Sequence, residues 1–211
     1  DVILTSGEAQ KKQLENLKSL KTILKTTLGS SRSFKRNKTI ESKPVQKQSN
    51  TCLVVPEGVV GEMEIMFDFS IECAKKLQDI NFILRVHPSV SLKDFTERKK
   101  KYKNTPKNIN YSNDDLDDDL LKCNYVLYRG SSVVFQAVVA GLIPLYLHIH
   151  DEMKIDPLFE IDDMKMEVET IQHFENAVKG PICNAKIRKA QDYCSKVFVP
   201  FDKKILEKLI S

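Results

Sequence analysis

From residue 51 onward the sequence alternates short apolar runs with amphipathic stretches of ten or more residues. That alternation constrains the fold more than any other feature. Thr51–Val55, Asn81–Val86, Tyr125–Tyr128 and Ile143–Leu147 read as strands, with a shorter extended piece near Asn108–Tyr111. Between them, residues 62–79 carry Met63, Met66, Phe67, Ser70, Ala74 and Leu77 at helical spacing. Further helices are expected near 91–103, 114–122 and 131–140, and two or three more close the chain at about 164–179, 184–196 and 202–210. Strands separated by helices cannot pair as hairpins, so the pattern implies βαβ units and a parallel sheet. Fully apolar strands fit a sheet covered on both faces. The expected fold class is α/β, a Rossmann-like doubly wound parallel sheet over residues 51–211.

Residues 1–50 differ. Asp1–Thr5 reads as a buried strand, and Leu14, Leu17, Leu20, Ile23 and Leu24 approach helical spacing over 8–24. Residues 29–50 then have linker composition, with Pro44 and few apolar groups. This quarter holds eleven basic residues against four acids, whereas the remainder holds 22 basic and 25 acidic groups. Basic residues 11–47 read either as a solvated face with a linker or as a contact for an anionic membrane surface or an acidic polymer. Nucleic acid is not expected, because aromatic residues are not interleaved with the basic ones. No stretch is long and apolar enough to span a bilayer. Five cysteines without a Cys-x-x-Cys pair argue against a disulfide scaffold and fit a reducing cytoplasm. The expected location is the cytoplasm, with the basic segment available to the inner face of the membrane.

In an open parallel sheet, ligands bind outside the carboxyl ends of the strands. Three such ends carry chemistry: Pro56-Glu57-Gly58, Arg85-Val86-His87-Pro88 and Arg129-Gly130-Ser131-Ser132. Ser131 and Ser132 open a helix, so they are either N-caps or hydroxyl donors to a phosphate beside Gly130. His87, fixed by Pro88, is either structural or a phosphate ligand. Arg85 shares its face if the strand runs that far, and its alternative is a surface ion pair. Glu57 either accepts hydrogen bonds from a sugar or caps the next helix, and Gly58 serves the turn.

No P-loop and no Gly-x-Gly-x-x-Gly fingerprint occurs. Two Asp-x-Asp pairs at Asp115, Asp117 and Asp119 fall on a helix start whose apolar stripe is Leu116, Leu120 and Leu121, so a metal role is not assigned. His148 and His150 are weak as a metal pair and are placed in a loop after the last strand, at the mouth of the site. No metal site and no cofactor is expected.

The stretch Tyr125–Tyr146 (YVLYRGSSVVFQAVVAGLIPLY) resembles the signature region of GT-B glycosyltransferase nucleotide domains. His87-Pro88 and Ser131-Ser132 resemble the HP and SS motifs of bacterial sialyl- and polysialyltransferases and of related capsule and lipopolysaccharide transferases. The resemblance covers about residues 50–160 and implies the C-terminal half of a GT-B fold. It implies that both motifs bind the CMP part of a CMP-linked acidic sugar, and that the acceptor is a glycan or glycolipid. The ribose-binding Glu of many such enzymes is replaced by Gln136, which still hydrogen-bonds but lacks charge. Pro56-Glu57-Gly58 resembles an acidic motif of sialyltransferases, with proline in place of its first acid; no base role is transferred. Residues 1–50 are then expected to be a remnant of the acceptor domain and the interdomain linker, with Thr5-Ser6-Gly7 near the cleft. The catalytic base would lie outside this chain, and the chain alone is expected not to transfer sugar. Alternatives are a UDP-sugar transferase, a GT-B sugar epimerase, or a non-catalytic nucleotide-binding module.

Overall fold

The computed structural model of the chain describes residues 1–33 and 50–210. Most of the expected linker, with the basic residues Lys35, Arg36, Lys38, Lys43 and Lys47, lies outside the described residues. The chain opens with β1 (Val2–Thr5), α1 (Glu8–Glu15), a 3-10 turn (Lys18–Leu20) and β2 (Leu24–Thr27). It continues through β3 (Thr51–Val55), α2 (Val60–Lys76), β4 (Asn81–Leu84), α3 (Leu92–Arg98), α4 (Lys100–Lys103) and β5 (Ile109–Tyr111). Then come α5 (Leu116–Lys122), β6 (Tyr125–Tyr128), α6 (Val133–Val139) and β7 (Ile143–Leu147). A 3-10 stretch (Phe159–Met164), β8 (Met166–Val168), α7 (Ile171–Lys179), α8 (Asn184–Ser195) and α9 (Lys203–Ile210) complete it.

Six strands form one sheet in the order β5-β4-β3-β6-β7-β8, with every pairing parallel. The chain moves outward from β3 to β5, returns to the middle, and moves outward again from β6 to β8. This is the doubly wound arrangement, and its reversal point lies between β3 and β6. Alternate residues of the central strands enter two separate cores. Cys52, Val54, Tyr125 and Leu127 pack with α2, Phe95, Tyr102 and Phe174 on one face. Leu53, Val55, Val126 and Tyr128 pack with α6 and with Ala190 and Cys194 of α8 on the other. Both faces are thereby dry, which explains why these strands carry no polar alternation. Each large apolar side chain buried this way stabilises the fold by about 1.5–3 kcal/mol.

The C-terminal end of α2 is closed by Asn108. Its Nδ2 donates to the carbonyls of Ala74, Leu77 and Ile80 at 3.1, 3.1 and 2.8 Å. Its two N–H bonds are shared among the three carbonyls, of which Leu77 also accepts from Ile80 N–H at 3.2 Å and Ala74 from Gln78 Nε2 at 3.2 Å.

Four expectations need correction. The helix expected over 8–24 ends at Glu15, because Leu24–Thr27 is drawn into a parallel pair with β1. Ser91's hydroxyl accepts from Asp94 N–H to start α3, but extended backbone at Lys99 (φ −142°) splits the expected 91–103 helix in two. The helix expected from 164 starts at Ile171, because Met166–Val168 pairs with β7 as an edge strand. The His148 loop therefore follows the penultimate strand, not the last. Leu121, expected in the apolar stripe of α5, is exposed, whereas Asp119 of the same helix is buried.

Thr5-Ser6-Gly7 packs on the chain after α8. The Ser6 hydroxyl donates to the Val197 carbonyl at 3.2 Å, and Val199 N–H donates to the Ser6 carbonyl at 3.0 Å. Ser30 N–H donates to the Val199 carbonyl at 2.8 Å, so residues 196–202 tie the β1-α1-β2 unit to the large sheet. Among the described residues, no helix is long and apolar enough to cross a membrane.

Candidate functional site

The site is built where strand ends gather around the reversal point. Val55 of β3 stands opposite Tyr128 of β6. Two residues further along each chain, Glu57 lies against Gly130: a Cβ added at Gly130 would meet Glu57 Oε1 at 1.3 Å. On the other side, a Cβ added at Gly58 would meet His87 Nδ1 at 2.9 Å and Cε1 at 3.0 Å. The two glycines leave room for the Glu57 carboxylate and the His87 ring to lie against the backbone that follows β6 and β3. His87, Gly58, Glu57 and Gly130 therefore form one contiguous row across the ends of β4, β3 and β6. Ser131 and Ser132 continue it, and Ile155 of the loop after β7 closes on Gly130 with Cδ1 at 3.1 Å from such a Cβ.

His87 begins a turn in which Val90 N–H donates to the His87 carbonyl at 2.9 Å, with Pro88 at the position where its fixed φ suits a turn. Ser89 N–H donates to His87 Nδ1 at 3.2 Å, and the Ser89 hydroxyl lies 2.8 Å from the same nitrogen. Nδ1 accepts, so the neutral ring carries its proton on Nε2, which becomes the donor left for a ligand. Ser131 is buried and Ser132 is exposed at the start of α6. The Ser132 side chain makes no capping bond, so its expected structural role is not the one it plays.

Two residues placed at the site by sequence are engaged elsewhere. Arg85 Nη1 pairs with Asp119 and donates to Ser112 Oγ at 3.1 Å and to the Asp114 carbonyl at 2.8 Å. β4 ends at Leu84, one residue before it. The ion-pair alternative for Arg85 is realised, but with a buried acid rather than on the surface. Gln136 Nε2 donates to Asp117 Oδ1 at 2.8 Å, turning its carboxamide toward α5. Of the Asp-x-Asp acids, Asp119 is thus engaged by Arg85 and Asp117 by Gln136. Val59, not Glu57, occupies the N-cap of α2, and no side chain caps that helix.

Sequence reading missed the charged groups that surround the row. Arg129 is buried, and its Nη1 donates to both oxygens of Glu62 at 2.6 and 2.5 Å while Nη2 pairs with Glu152. Burial alone would ease its proton off, but the two carboxylates outweigh that and hold the guanidinium above its ordinary range. Behind it, Asp156 pairs with Lys165, accepts from the Tyr128 hydroxyl at 3.0 Å and accepts from Leu158 N–H at 2.8 Å. Burial and then the Asp156 charge push the Tyr128 hydroxyl well above its ordinary range. Spacing gives no sign of these pairs, since Glu62 lies in the first turn of α2, Arg129 directly after β6 and Glu152 in the loop after β7.

His148 does not meet His150. Its Nδ1 lies 2.5 Å from Glu169 Oε1 and 3.0 Å from Glu167 Oε1, joining the ends of β7 and β8. These three residues offer ligand atoms within 4.8 Å of one another. Lys154 also pairs with Glu167 at 2.8 Å, so the cluster is a polar seam between the two strands.

No family model matches the sequence, and no curated protein matches it. Solved structures do. The glycotransferase of kitacinnamycin superposes with a TM-score of 0.62 at 11% identity, over 99% of this chain and 54% of that one. The glycosyltransferase SnogD from Streptomyces nogalater gives 0.60 at 11% identity, over 100% of this chain and 56% of that one. The S. aureus MnaA–UDP co-structure gives 0.56 at 13% identity, over 100% and 58%. The chain spans about half the length of these solved structures. At such identities the likeness establishes the fold: a Rossmann-like α/β half of the GT-B architecture.

Proposed function

We propose that this chain is the nucleotide-sugar-binding half of a GT-B glycosyltransferase whose donor is a CMP-linked acidic sugar. The observation that carries the reading is the row His87, Gly58, Glu57, Gly130, gathered at the reversal point of a doubly wound sheet where this architecture binds ligands. His87 Nε2 and the hydroxyls of Ser131 and Ser132 donate to the donor phosphate. Pro88 fixes the histidine turn, and Gly58 and Gly130 admit the nucleotide to the backbone. Glu57 and Gln136 accept or donate to sugar and ribose hydroxyls, Gln136 after releasing Asp117. Arg85 contributes by fixing the end of β4 through Asp119 rather than by touching the ligand. Stabilising the leaving CMP needs protein donors only, since a CMP-sugar carries a single phosphate. Of the basic groups at the three strand ends, Arg85 and Arg129 are already paired with carboxylates, which leaves His87 Nε2 and the serine hydroxyls as the donors this reading uses. The acceptor is a glycan or glycolipid supplied beside the β1-α1-β2 unit. Transfer requires the other half of the architecture, so the 211-residue chain by itself is expected to bind donor without turnover.

A UDP-sugar transferase or an epimerase is the second reading, favoured by two similar structures: MnaA, solved with UDP, and a putative UDP-N-acetylglucosamine 2-epimerase from Listeria monocytogenes, TM-score 0.52. Calorimetry of the chain against CMP, UMP, GMP and UDP, in EDTA and in Mg²⁺, separates the two. CMP binding in EDTA supports the proposal. Absence of CMP binding with tight UDP binding in Mg²⁺ replaces it with the second reading. Activity of the full-length protein on a CMP-sugar excludes a non-catalytic module.

A further inference from the structure

Arg129 stands at the end of β6, immediately before Gly130, with its side chain only 3% exposed. Its three donor positions are used unequally. Nη1 is held by both oxygens of Glu62, Nη2 is held by Glu152, and Nε is buried with no hydrogen-bond partner. The two acids differ in how they are mounted. Glu62 belongs to the first turn of α2 and is 20% exposed, whereas Glu152 projects from the loop after β7 and is 45% exposed. One guanidinium faces two carboxylates, and Glu57 brings a third to Gly130 next door. An anion arriving at Gly130 meets this excess of negative charge unless one acid departs.

The loop is mounted so that one acid can. It is anchored at His148 by Glu167 and Glu169, and at Asp156 by Lys165, Tyr128 and Leu158. Between the anchors, three polar contacts hold it to the sheet: Glu152 on Arg129, Lys154 on Glu167 at 2.8 Å, and Ile155 N–H donating to the Tyr146 hydroxyl at 3.3 Å. Asp151, next to Glu152, has left-handed backbone (φ 63°), which favours glycine and stores strain in a residue with a side chain.

We propose that Arg129 is an anion-binding residue of the site, and that Glu152 occupies the place of the ligand's anionic oxygen until a phosphate displaces it. Glu62 remains as the permanent counter-ion. Exchange of one anion for another at Nη2 breaks and makes no covalent bond, and it releases the loop at Glu152 while Lys154 and Ile155 keep their contacts to the sheet. The inference rests on the nucleotide-sugar reading for the identity of the phosphate, but not for the existence of the anion site.

Calorimetry of the 211-residue chain with CMP, UDP and inorganic pyrophosphate tests it. Glu152→Gln removes the competing charge and should tighten at least one of these probes by about tenfold. Asp151→Asn makes the same charge change on the same loop without touching Arg129, and should tighten none of them by more than about twofold. Adding Arg129→Lys to Glu152→Gln keeps a partner for Glu62 and should abolish the gain. In the parent, phosphate binding should speed amide exchange at 150–153, on either side of Glu152. Equal affinities for parent and Glu152→Gln with every probe, or an equal gain from Asp151→Asn, overturn the proposal. A gain for pyrophosphate with no nucleotide bound sustains the anion site and removes the nucleotide-sugar reading instead.

Discussion

The carboxylate of Glu57 lies directly over Gly130, close enough that a Cβ at position 130 would sit 1.3 Å from Oε1 and 2.4 Å from Cδ. The pairing is inherited from the register of the sheet, because Val55 and Tyr128, two residues earlier on each chain, are cross-strand partners. The carboxylate thus fills the space that a side chain at position 130 would take.

Gly130→Ala should drive the Glu57 carboxylate aside without unfolding the chain, since what is displaced is the far end of a flexible side chain. A cost of about 1 kcal/mol is expected, or about 2–4 °C in melting temperature for a domain of this size. Combining it with Glu57→Ala should recover most of that loss. Thermal melts of the parent, the single variant and the double variant check this; a double variant no better than the single would mean the strain lies with Ile155.

His87→Ala and Ser132→Ala should each weaken CMP binding by about ten- to a hundredfold, the loss of one donor to a charged group at about 1.5–3 kcal/mol. Cytidine, lacking the phosphate, should bind nearly as before. Because Ser132 caps nothing through its side chain, its removal should leave the melting temperature unchanged. Titrations with CMP and cytidine, alongside melts, read both parts. Parent-like CMP affinity in both variants would remove His87 and Ser132 from the phosphate site.

The strands of the sheet centre were legible because burial on both faces leaves no choice of residue: Thr51–Val55, Tyr125–Tyr128 and Ile143–Leu147 begin and end where their apolar runs do. Edge elements were not. Met166–Val168 carries Glu167 in its middle and reads as helix, and only pairing with β7 makes it a strand. Leu24–Thr27 hides at the end of a leucine pattern that continues at helical spacing. At the ligand edge, the glycines, His87 and the serine pair announce themselves by position after strands. Arg85 was misplaced because its partner Asp119 lies 34 residues away on another helix. Arg129 was seen as part of a strand end but not as the centre of a charge network, since Glu62 is 67 residues before it and Glu152 is 23 after. Long-range charge pairing leaves no local periodicity to read.

Asp156→Ala should cost about 3–5 kcal/mol, because it leaves the Lys165 ammonium buried without its main counter-charge. The two side chains are 3% and 5% exposed, and the Tyr128 hydroxyl and Leu158 N–H lose their acceptor as well. By contrast Glu72→Ala, at the exposed pair with Lys75, should change stability by less than about 1 kcal/mol. Urea unfolding of both variants measures the difference, and equal midpoints would deny the buried pair its structural role.

Alkaline pH should unfold the chain from the inside. Burial pushes the Cys73 thiol, with help from Glu72, and the Cys194 thiol from the ordinary 9.0 up to about 12. Cys52, wholly buried, moves the same way. A raised value means that the native state holds the proton more tightly than the unfolded chain. The stability these thiols contribute is therefore complete below pH 9, falls once the unfolded state ionises there, and is spent as pH passes the native value near 12. Each thiol ionised only in the unfolded state lowers stability by about 1.4 kcal/mol per pH unit. Unfolding free energies in urea at pH 8, 9, 10 and 11 should be level over the first step and then fall. Cys194→Ala should start lower, by the cost of its packing, and fall less steeply by one thiol's share. A stability that stays level to pH 11, or a slope unchanged in Cys194→Ala, would show that these thiols ionise in the native state as readily as in the unfolded chain.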